Sequence, residues 1–477
     1  MAKVVIIGAG FAGHTAALYL GSALGKKHDI TVVNKYDYFL FIPSLIWVSV
    51  GHMKADKVHF QLAPVYRKLH VNFVHGSAKK VHPDEQFVVV QKANDAQQIK
   101  LAYDYLVIAT GPKLNFEGTK NLGPQHGFTY SVCTLEHALQ TRAKYLELIE
   151  RMAGGETLKL VIGTGHPGAT CQGAGFEFLL NVHKDLVKRG LRNKAELVWF
   201  SNEPQLGDFG VRGIQINRKG KRITSEDWVR NIFTEYDIKW EIRKGAYAVD
   251  EKTIYWEDAE GQQGETNFDF AMLIPQFLGA PMEYLDSEGN DISAKIVNKA
   301  GLVLVDGIYG LDFATLEQNP DAWPSVYQNP TYKNIFAAGI AFAPPGPISR
   351  PTVNPNGLSI TPAPPRTGMV SGIIGRIVAK NIIDLIKHGR MTHAERMSEM
   401  FAACIASMGD SLWDGEAGIM IIYPVVPDMR KYPGEMGRDT FVTHMELGLA
   451  GAWMKRLIHS TFMWKFQARP GWSIIPE

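Results

Sequence analysis

The chain contains few cysteines and no excess of either charge. Its 477 residues include only three cysteines, none in a Cys-x-x-Cys pair, which argues against a zinc knot or a thioredoxin-like redox motif. The formal net charge is +2, so no nucleic-acid-binding surface is indicated. Low-complexity tracts and short-period repeats are also missing. The sequence therefore predicts no metal site and no nucleic-acid partner.

Long apolar runs are missing as well. No stretch of about eighteen apolar residues occurs, which excludes an ordinary transmembrane helix. Residues 1–13 run directly into an apolar strand and a glycine turn, so we expect no secretory signal peptide. A chain of 477 residues is too long for a single core and suits two α/β domains with an appended region.

A glycine-rich turn follows the first apolar strand. The segment VVIIGAGFAG places Gly8, Gly10 and Gly13 between that strand and a predicted helix, and a second strand, DITVVNK, follows. These glycines allow a tight turn, close approach of a phosphate and helix–strand packing. The pattern predicts a dinucleotide site. Asn34 takes the position where a carboxylate usually binds the ribose.

A second glycine turn carries a cysteine. In VIGTGHPGATCQGAGFEF (161–178), the turn again follows an apolar strand, and Cys171 is expected in the first turn of the next helix. The helix dipole and free N–H groups there favour a thiolate. An ordinary NADH site stays possible because Glu203 could bind a ribose, although His166 and Pro167 crowd the turn.

Two later segments resemble motifs of the flavin-dependent disulfide reductase superfamily. YDYLVIATGPK (103–113) resembles its ATG motif, and YKNIFAAGIAFA (332–343) resembles its second flavin motif, with Ile340 replacing the usual aspartate. The resemblance implies FAD as cofactor. The residues expected to bind it are Gly8, Gly10, Phe11, Ala12, Gly13, Asn34, Lys35, Ser44, Ala78, Ala109, Thr110, Gly111, Gly339, Ile340, Arg366, Thr367 and Gly368.

Further segments resemble the sulfide:quinone oxidoreductase family. They span nearly the whole chain in family order and are DYFLFIPSLIWVSVG (37–51), SVCTLEHA (131–138), GATCQGAGFEF (168–178), MLIPQFLGAP (272–281), NIFAAGIA (334–341), PPRTG (364–368) and CIASMGD (404–410). PPRTG departs from the commoner Pro-Lys-Thr-Gly, so Arg366 stands in place of a lysine. Asp208 occupies a loop in which family members often carry histidine.

The resemblance implies an oxidation of hydrosulfide to sulfane sulfur or polysulfide at a Cys171–Cys404 pair. Cys404 is expected nearest the flavin, and Cys171 is expected to carry the growing sulfur chain. Cys133 is implied in sulfur entry or flavin attachment, with a buried structural thiol as the alternative. His137 is a candidate proton relay and Glu177 a candidate base; both have purely structural alternatives.

The C-terminal segment 441–472 has the composition of an amphipathic interfacial helix. Apolar residues recur every four positions from Phe441 to Leu457, and Lys455, Lys465 and other basic residues accompany them. We expect peripheral, monotopic contact with a membrane lipid surface. Ubiquinone or menaquinone would be the acceptor, with Tyr423, Lys431 and Phe441 as candidate quinone-binding residues. Homo-oligomerisation is possible.

The predicted fold class is α/β, with two Rossmann-like domains and a C-terminal amphipathic, membrane-associating region. The FAD domain is expected at 1–120 and 300–400, the second domain with Cys133 and Cys171 at 121–299, and the C-terminal region with Cys404 at 401–477. Three alternatives are a type II NADH:quinone oxidoreductase, the flavin subunit of a cytochrome-linked sulfide dehydrogenase, and a flavin redox sensor without turnover.

Overall fold

The computed structural model describes residues 1–95 and 97–477. Its helices are α1 (Phe11–Leu24), α2 (Leu45–Val50), α3 (Leu62–Lys68), α4 (Leu135–Ala153), α5 (Gln172–Lys188), α6 (Ser225–Glu235), α7 (Phe313–Gln318), α8 (Gly368–His388) and α9 (Leu449–Phe466).

The strands follow the same chain order. They are β1 (Lys3–Ile7), β2 (Asp29–Asn34), β3 (Tyr38–Leu40), β4 (His59–Gln61), β5 (Asn72–His82), β6 (Phe87–Lys92), β7 (Gln98–Ala102), β8 (Tyr105–Ile108), β9 (Pro112–Asn115), β10 (Leu158–Thr164), β11 (Ala195–Phe200), β12 (Gln215–Arg218), β13 (Lys221–Thr224), β14 (Ile238–Glu241), β15 (Lys244–Val249), β16 (Thr253–Asp258), β17 (Gln263–Asn267), β18 (Phe270–Ile274), β19 (Gln276–Gly279), β20 (Glu283–Tyr284), β21 (Ile335–Ala337), β22 (Ala402–Met408), β23 (Glu416–Ile422) and β24 (His444–Gly448).

The first domain is built on a sheet in the order β21-β8-β1-β2-β5-β6-β7. Strands from β21 to β5 are parallel, and their apolar residues are buried on both faces, as crossover helices require. Helices α1 and α8 pack closely because both are rich in small residues: a Cβ at Gly375 would lie 2.3 Å from the Ala12 carbonyl oxygen. This contact brings residues 8–13 and 366–368 to one end of the sheet.

The second domain contains a four-stranded parallel sheet, β14-β11-β10-β18. Helix α5 connects β10 to β11, so the turn 163–171 stands at the carboxyl ends of the strands. The predicted boundary at 299/300 is wrong, because β20 pairs with β5 and Tyr284 and Ile296 are buried in the first domain's core. The chain returns to the first domain before Glu283.

The C-terminal region is a three-stranded antiparallel sheet, β22-β23-β24, covered on one face by α9. The amphipathic segment 441–472 is helical only from Leu449 to Phe466, because His444–Gly448 pairs with β23 and buries Met445. The basic face is also different from the prediction, since Lys455 and Lys465 are buried in ion pairs. Across the described residues, the helices are all too short or too polar to cross a membrane.

Candidate active site

The first glycine turn leaves its helix N-terminus open. Gly8 has φ +101°, and a Cβ there would lie 2.2 Å from the Ala109 carbonyl oxygen, so only glycine fits. A Cβ at Gly10 would meet no atom within 4 Å. No side chain caps α1, and its first turn, with Phe11 and Ala12, has no acidic residue. These free N–H groups and the open space fit the pyrophosphate of a dinucleotide such as FAD.

The other expected flavin residues surround this turn from several elements. Ala109 donates its N–H to Ile7 and leads into Thr110 and Gly111, which has φ +70°. From the far side of α1, a Cβ at Gly339 would lie 2.8 Å from the Ala12 Cβ, and one at Gly368 would lie 2.9 Å from the Phe11 ring. Thr367 caps α8 by accepting the Val370 N–H.

Arg366 is held in the space between the two domains' turns. Its Nη1 donates to the carbonyls of Ile340 and Phe342 at 3.1 and 3.0 Å. Burial lowers the pKa of Arg366 to about 10, while Cys171 and Tyr309 act to raise it. Ile340 therefore contributes its backbone oxygen where the family motif more often has an aspartate side chain.

The four other expected cofactor residues lie between β2 and β5. The Asn34 side chain accepts the Ala9 N–H at 2.9 Å and donates to the Tyr36 carbonyl, so it holds the shape of the turn. The Lys35 carbonyl accepts a hydrogen bond from His75. Ala78 lies at a bulge in β5, opposite Val90. Ser44, at the start of α2, is fully buried.

The second glycine turn is closed by the protein itself. A Cβ at Gly165 would lie 2.8 Å from a methyl carbon of Leu122, so an apolar side chain covers the place of a pyrophosphate. The loop after Phe342 lies along the turn: Thr361 and Ala363 donate their N–H groups to the carbonyls of Pro167 and Ala169. The structure therefore leaves this turn unsuited to an ordinary nicotinamide dinucleotide.

Glu203, the candidate ribose ligand of an NADH site, is fully buried. Its carboxylate accepts hydrogen bonds from Trp199 Nε1, Ser201 Oγ and the Phe209 N–H. Burial, followed by the charge of Asp208, raises the pKa of Glu203 to about 7. Because its lone pairs are directed at these internal donors, Glu203 supports the loop rather than a cofactor.

Cys171 is the N-cap of α5, one residue before the helix begins, with φ +63°. Burial raises its pKa, and this effect outweighs the stabilisation of the thiolate by the Arg366 N–H, the Thr170 hydroxyl and the Arg366 charge. The thiolate that the sequence predicts at this helix N-terminus therefore has burial against it and Arg366 and Thr170 in its favour.

All three cysteines border one hydrophobic cluster, and all three are free thiols. Cys404 Sγ lies over the first turn of α5, 3.1 Å from where a Cβ at Gly173 would be. Burial raises the pKa of Cys404 to about 11 and that of Cys133 to about 12, and the neighbouring Cys171 contributes to both shifts. Residues separated by more than two hundred positions thus meet at one sulfur site.

Glu177 lies on α5 but is engaged by β22 and α9. Its carboxylate accepts the Ser407 N–H at 3.2 Å and the Lys455 ammonium at 3.0 Å, and it also accepts the Ser407 hydroxyl. After burial, its charge is the next cause that raises the pKa of Cys404, and Lys455 opposes it. Glu177 is therefore a buried charge close to Cys404, paired with Lys455.

Lys455 was not predicted from the sequence as a residue of the sulfur site. It was assigned to the basic surface of the interfacial segment. It also donates to the Ile405 carbonyl at 3.1 Å, next to Cys404. A signal was present: Lys455 stands four residues after Gly451 and three after Ala452, small residues that helical spacing places on its face. Both are buried against β23.

The remaining candidates have other neighbours. His137 is in the first turn of α4, where its ring packs edge-on against Phe116, and burial lowers its pKa. Tyr423 and Lys431 lie in the excursion between β23 and β24, with Lys431 Nζ over the Tyr432 ring. Phe441 is 97% exposed. Their roles with proton or quinone stay predictions.

Comparison with known proteins agrees with this geometry. The family model for pyridine nucleotide-disulphide oxidoreductases matches residues 2–183. The sulfide-quinone reductase of Aquifex aeolicus is 33% identical over 439 residues, which cover 92% of this chain and 87% of that protein. A mitochondrial sulfide:quinone oxidoreductase of Dictyostelium discoideum is 26% identical over 41% of each chain.

Solved structures give the same result. The sulfide:quinone oxidoreductase of Aquifex aeolicus superimposes with a TM-score of 0.77 at 30% identity, covering 98% of this chain and 92% of that one. The NDH2 of Plasmodium falciparum, solved with NADH, has a TM-score of 0.64 at 13% identity, covering 99% and 97%, and shares the fold. The chain belongs to the sulfide:quinone oxidoreductase family.

Proposed function

We propose that this protein oxidises hydrosulfide at Cys171 and Cys404 and delivers the electrons to a membrane quinone. FAD is the cofactor. When bound, it accepts two electrons from the sulfur site and passes them to quinone. The observation that carries the proposal is the meeting of Cys404 with the N-terminus of α5 at a turn closed to nicotinamide.

The sulfur step balances with these two thiols as a bridged pair. Hydrosulfide attacks the Cys171 sulfur of the bridge, forming a persulfide on Cys171 and releasing Cys404 as a thiolate. The Cys404 thiolate and the persulfide then form a three-sulfur bridge, losing one proton and two electrons. Each further hydrosulfide lengthens the chain by one sulfur.

Side chains of the protein stabilise the negative charge on the sulfur of Cys404 and on that of Cys171. Lys455 lowers the pKa of Cys404, against burial and the charge of Glu177. The Arg366 N–H, the Thr170 hydroxyl and the Arg366 charge serve a thiolate or persulfide at Cys171. Glu177 holds Lys455 next to Cys404, and in this arrangement its part is to position a cation.

We also propose a peripheral, monotopic contact with a lipid surface through the hairpin between β22 and β23 and the outer face of α9. Trp413 is 88% exposed, and Trp453 and Leu457 are exposed beside it. Trp453 Nε1 donates to the Leu412 carbonyl at 2.8 Å, so hairpin and helix form one apolar surface. Exposed tryptophan and leucine on one side are typical of interfacial binding.

The catalytic proposal is tested with the purified flavoprotein and a short-chain ubiquinone, using sulfide or NADH as donor. We expect rapid reduction by sulfide and none by NADH. Cys171→Ser and Cys404→Ser should each abolish sulfide turnover and retain bound flavin. Cys133→Ser is measured beside them, so that all three cysteines are compared. NADH-driven turnover without sulfide activity, or wild-type rates in either of the first two variants, would overturn the assignment.

The membrane proposal is tested by sedimentation with phospholipid vesicles. Trp413→Ser combined with Leu457→Ser should release the protein, whereas Ile308→Ser, at an exposed apolar residue of the first domain, should not. Point substitutions suit this test better than truncation, because Phe466 and Glu477 at the C-terminus are buried in the fold. Equal binding by all variants would exclude this surface.

A further inference from the structure

A polar and aromatic cluster lies between α2 and α9, beside the sulfur site. His459 Nδ1 is 2.9 Å from the buried Ser44 Oγ, and its ring meets the Phe41 ring edge-on at 5.3 Å. Trp47 packs 6.4 Å from the same imidazole, measured between ring centres. The sulfur chemistry uses none of these four residues.

This cluster contains a donor that the protein does not use. Trp47 is 2% exposed, yet its indole Nε1 has no hydrogen-bond partner among the described residues. An unpaired buried N–H costs free energy, and such groups in native proteins are usually satisfied by water or a ligand. An acceptor oxygen could receive hydrogen bonds from the Trp47 indole and the His459 imidazole. The surrounding aromatic rings suit a flat apolar molecule that carries such an oxygen.

The cluster borders the sulfur site at Lys455, whose ammonium lies 6.0 Å from the centre of the Trp47 ring and 3.0 Å from Glu177. Cys404 and Ala406 face the hydrophobic cluster of the second domain that includes α5. Ile405 points the other way and packs with Ile419 and Ile458 on the side of α9. His459, one residue after Ile458 on α9, is therefore on the helix that covers the side of β22 opposite to Cys404. Leu457, two residues before His459, is 61% exposed on the proposed lipid-facing surface.

We propose that His459, held by Ser44, hydrogen-bonds a quinone oxygen through Nε2 and donates a proton to it, with Trp47 Nε1 as a second donor to the quinone. This inference rests on the proposed function and names a proton donor for its second half-reaction. Quinone takes up two electrons from reduced FAD and two protons to become quinol. His459 gives one proton and, after reprotonation from solvent, the other.

The surroundings of His459 make its imidazolium form a stronger acid than an exposed histidine. Burial, then Lys455 and Arg456 on the same helix, lower its pKa below the ordinary 6.5. Lys455 is paired with Glu177 from α5, and Arg456 lies 3.8 Å from Asp410 in the β22–β23 hairpin. The ring that takes up a proton from solvent donates through Nε2 to the quinone oxygen and through Nδ1 to Ser44 Oγ, and it returns to the neutral form when the Nε2 proton is transferred.

The test separates the two half-reactions. The holoenzyme is reduced with stoichiometric dithionite, which bypasses the cysteines, and flavin reoxidation is followed by stopped flow with a short-chain ubiquinone or with ferricyanide, which accepts electrons without protons. For His459→Gln we expect reoxidation by quinone to slow by about tenfold or more and to lose its pH dependence, with ferricyanide unchanged. Ser44→Ala should show a smaller loss with quinone.

Thr461→Val is the matched control, because this α9 hydroxyl donates only to the Leu457 and Ile458 carbonyls of its own helix. It should reoxidise at the wild-type rate with both acceptors. Wild-type reoxidation of His459→Gln by quinone, or an equal loss with quinone and ferricyanide, would overturn the role of His459. Failure of sulfide to reduce the wild-type flavin would instead refute the proposed function, because dithionite reduction does not depend on it.

Discussion

The two glycine turns of this protein share a plan and differ in what covers them. Both follow a buried parallel strand and precede a helix, but Gly10 faces open space, whereas Gly165 faces Leu122. The first turn keeps free N–H groups for a pyrophosphate, and the carbonyls of the second are paired with residues 361–363. Duplicated architecture therefore need not keep duplicated function: one turn binds a cofactor, and the other positions a thiol.

The helices that leave these turns are also anchored differently to α9. On α1, His14 Nε2 bonds the Phe466 carbonyl at 2.7 Å, with its Nδ1 at Tyr66. On α5, the anchor is the buried ion pair of Glu177 and Lys455. The C-terminal helix thus connects the flavin side through a neutral ring and the sulfur side through charges.

The largest expected effect comes from blocking the open turn. Gly10→Val places a side chain where no protein atom lies, so the chain should fold and fail to hold FAD, with loss of nearly all activity. Gly165→Ala should retain flavin and lose about 1–3 kcal/mol of stability through the clash with Leu122. The flavin-to-protein absorbance ratio and thermal unfolding measure both. Full flavin content in Gly10→Val would contradict the comparison.

Breaking the charged anchor should have the next largest effect. Lys455→Met leaves the Glu177 carboxylate buried without its cation, which should cost about 3–5 kcal/mol of unfolding free energy. Glu177→Gln combined with Lys455→Met should recover most of this loss, because no unpaired charge remains. Urea unfolding of the three proteins measures it, and a double variant as unstable as Lys455→Met would argue against the ion pair as the cause.

Acid should lower the stability that the neutral His14 ring gives through its hydrogen bond to Phe466. Burial lowers the pKa of His14 to about 4, so the unfolded chain, with an ordinary value near 6.5, binds a proton first as pH falls. The stability from neutral His14 is complete above about pH 6.5 and is lost towards pH 4, by about 3 kcal/mol. His14→Gln should unfold with a shallower pH dependence over this window. An unchanged slope would remove His14 from the acid response.

The smallest expected effect concerns the cation between the turns. Arg366→Lys keeps a positive charge near Cys171 but loses the guanidinium Nη1 that donates to the Ile340 and Phe342 carbonyls, so sulfide-driven flavin reduction should slow by only about threefold. Arg366→Met should slow it further and move its pH profile upwards, because the charge that lowers the pKa of Cys171 is gone. Identical pH profiles for the two variants would show that Arg366 acts by packing alone.

Much of the site could be predicted from local sequence, and its closure could not. The spacing of Gly8, Gly10 and Gly13 predicts a cofactor turn because each glycine has a local steric reason. The burial of Glu203 depends on Trp199, Ser201 and Phe209 folding around it, which no spacing rule reports. Lys455 was assigned to the surface because composition does not show which basic residues of a helix find a buried carboxylate.

By itself the sequence determined the two Rossmann units, the flavin cofactor and the family's sulfur chemistry, because strand runs, glycine spacing and cysteine-bearing motifs are properties of short segments. Only the tertiary structure decided that the second turn is closed, that Cys404 lies over the start of α5, and that His459 meets Ser44. The physical reason is that these features depend on contacts between residues far apart in the chain, where burial and sterics select the neighbour.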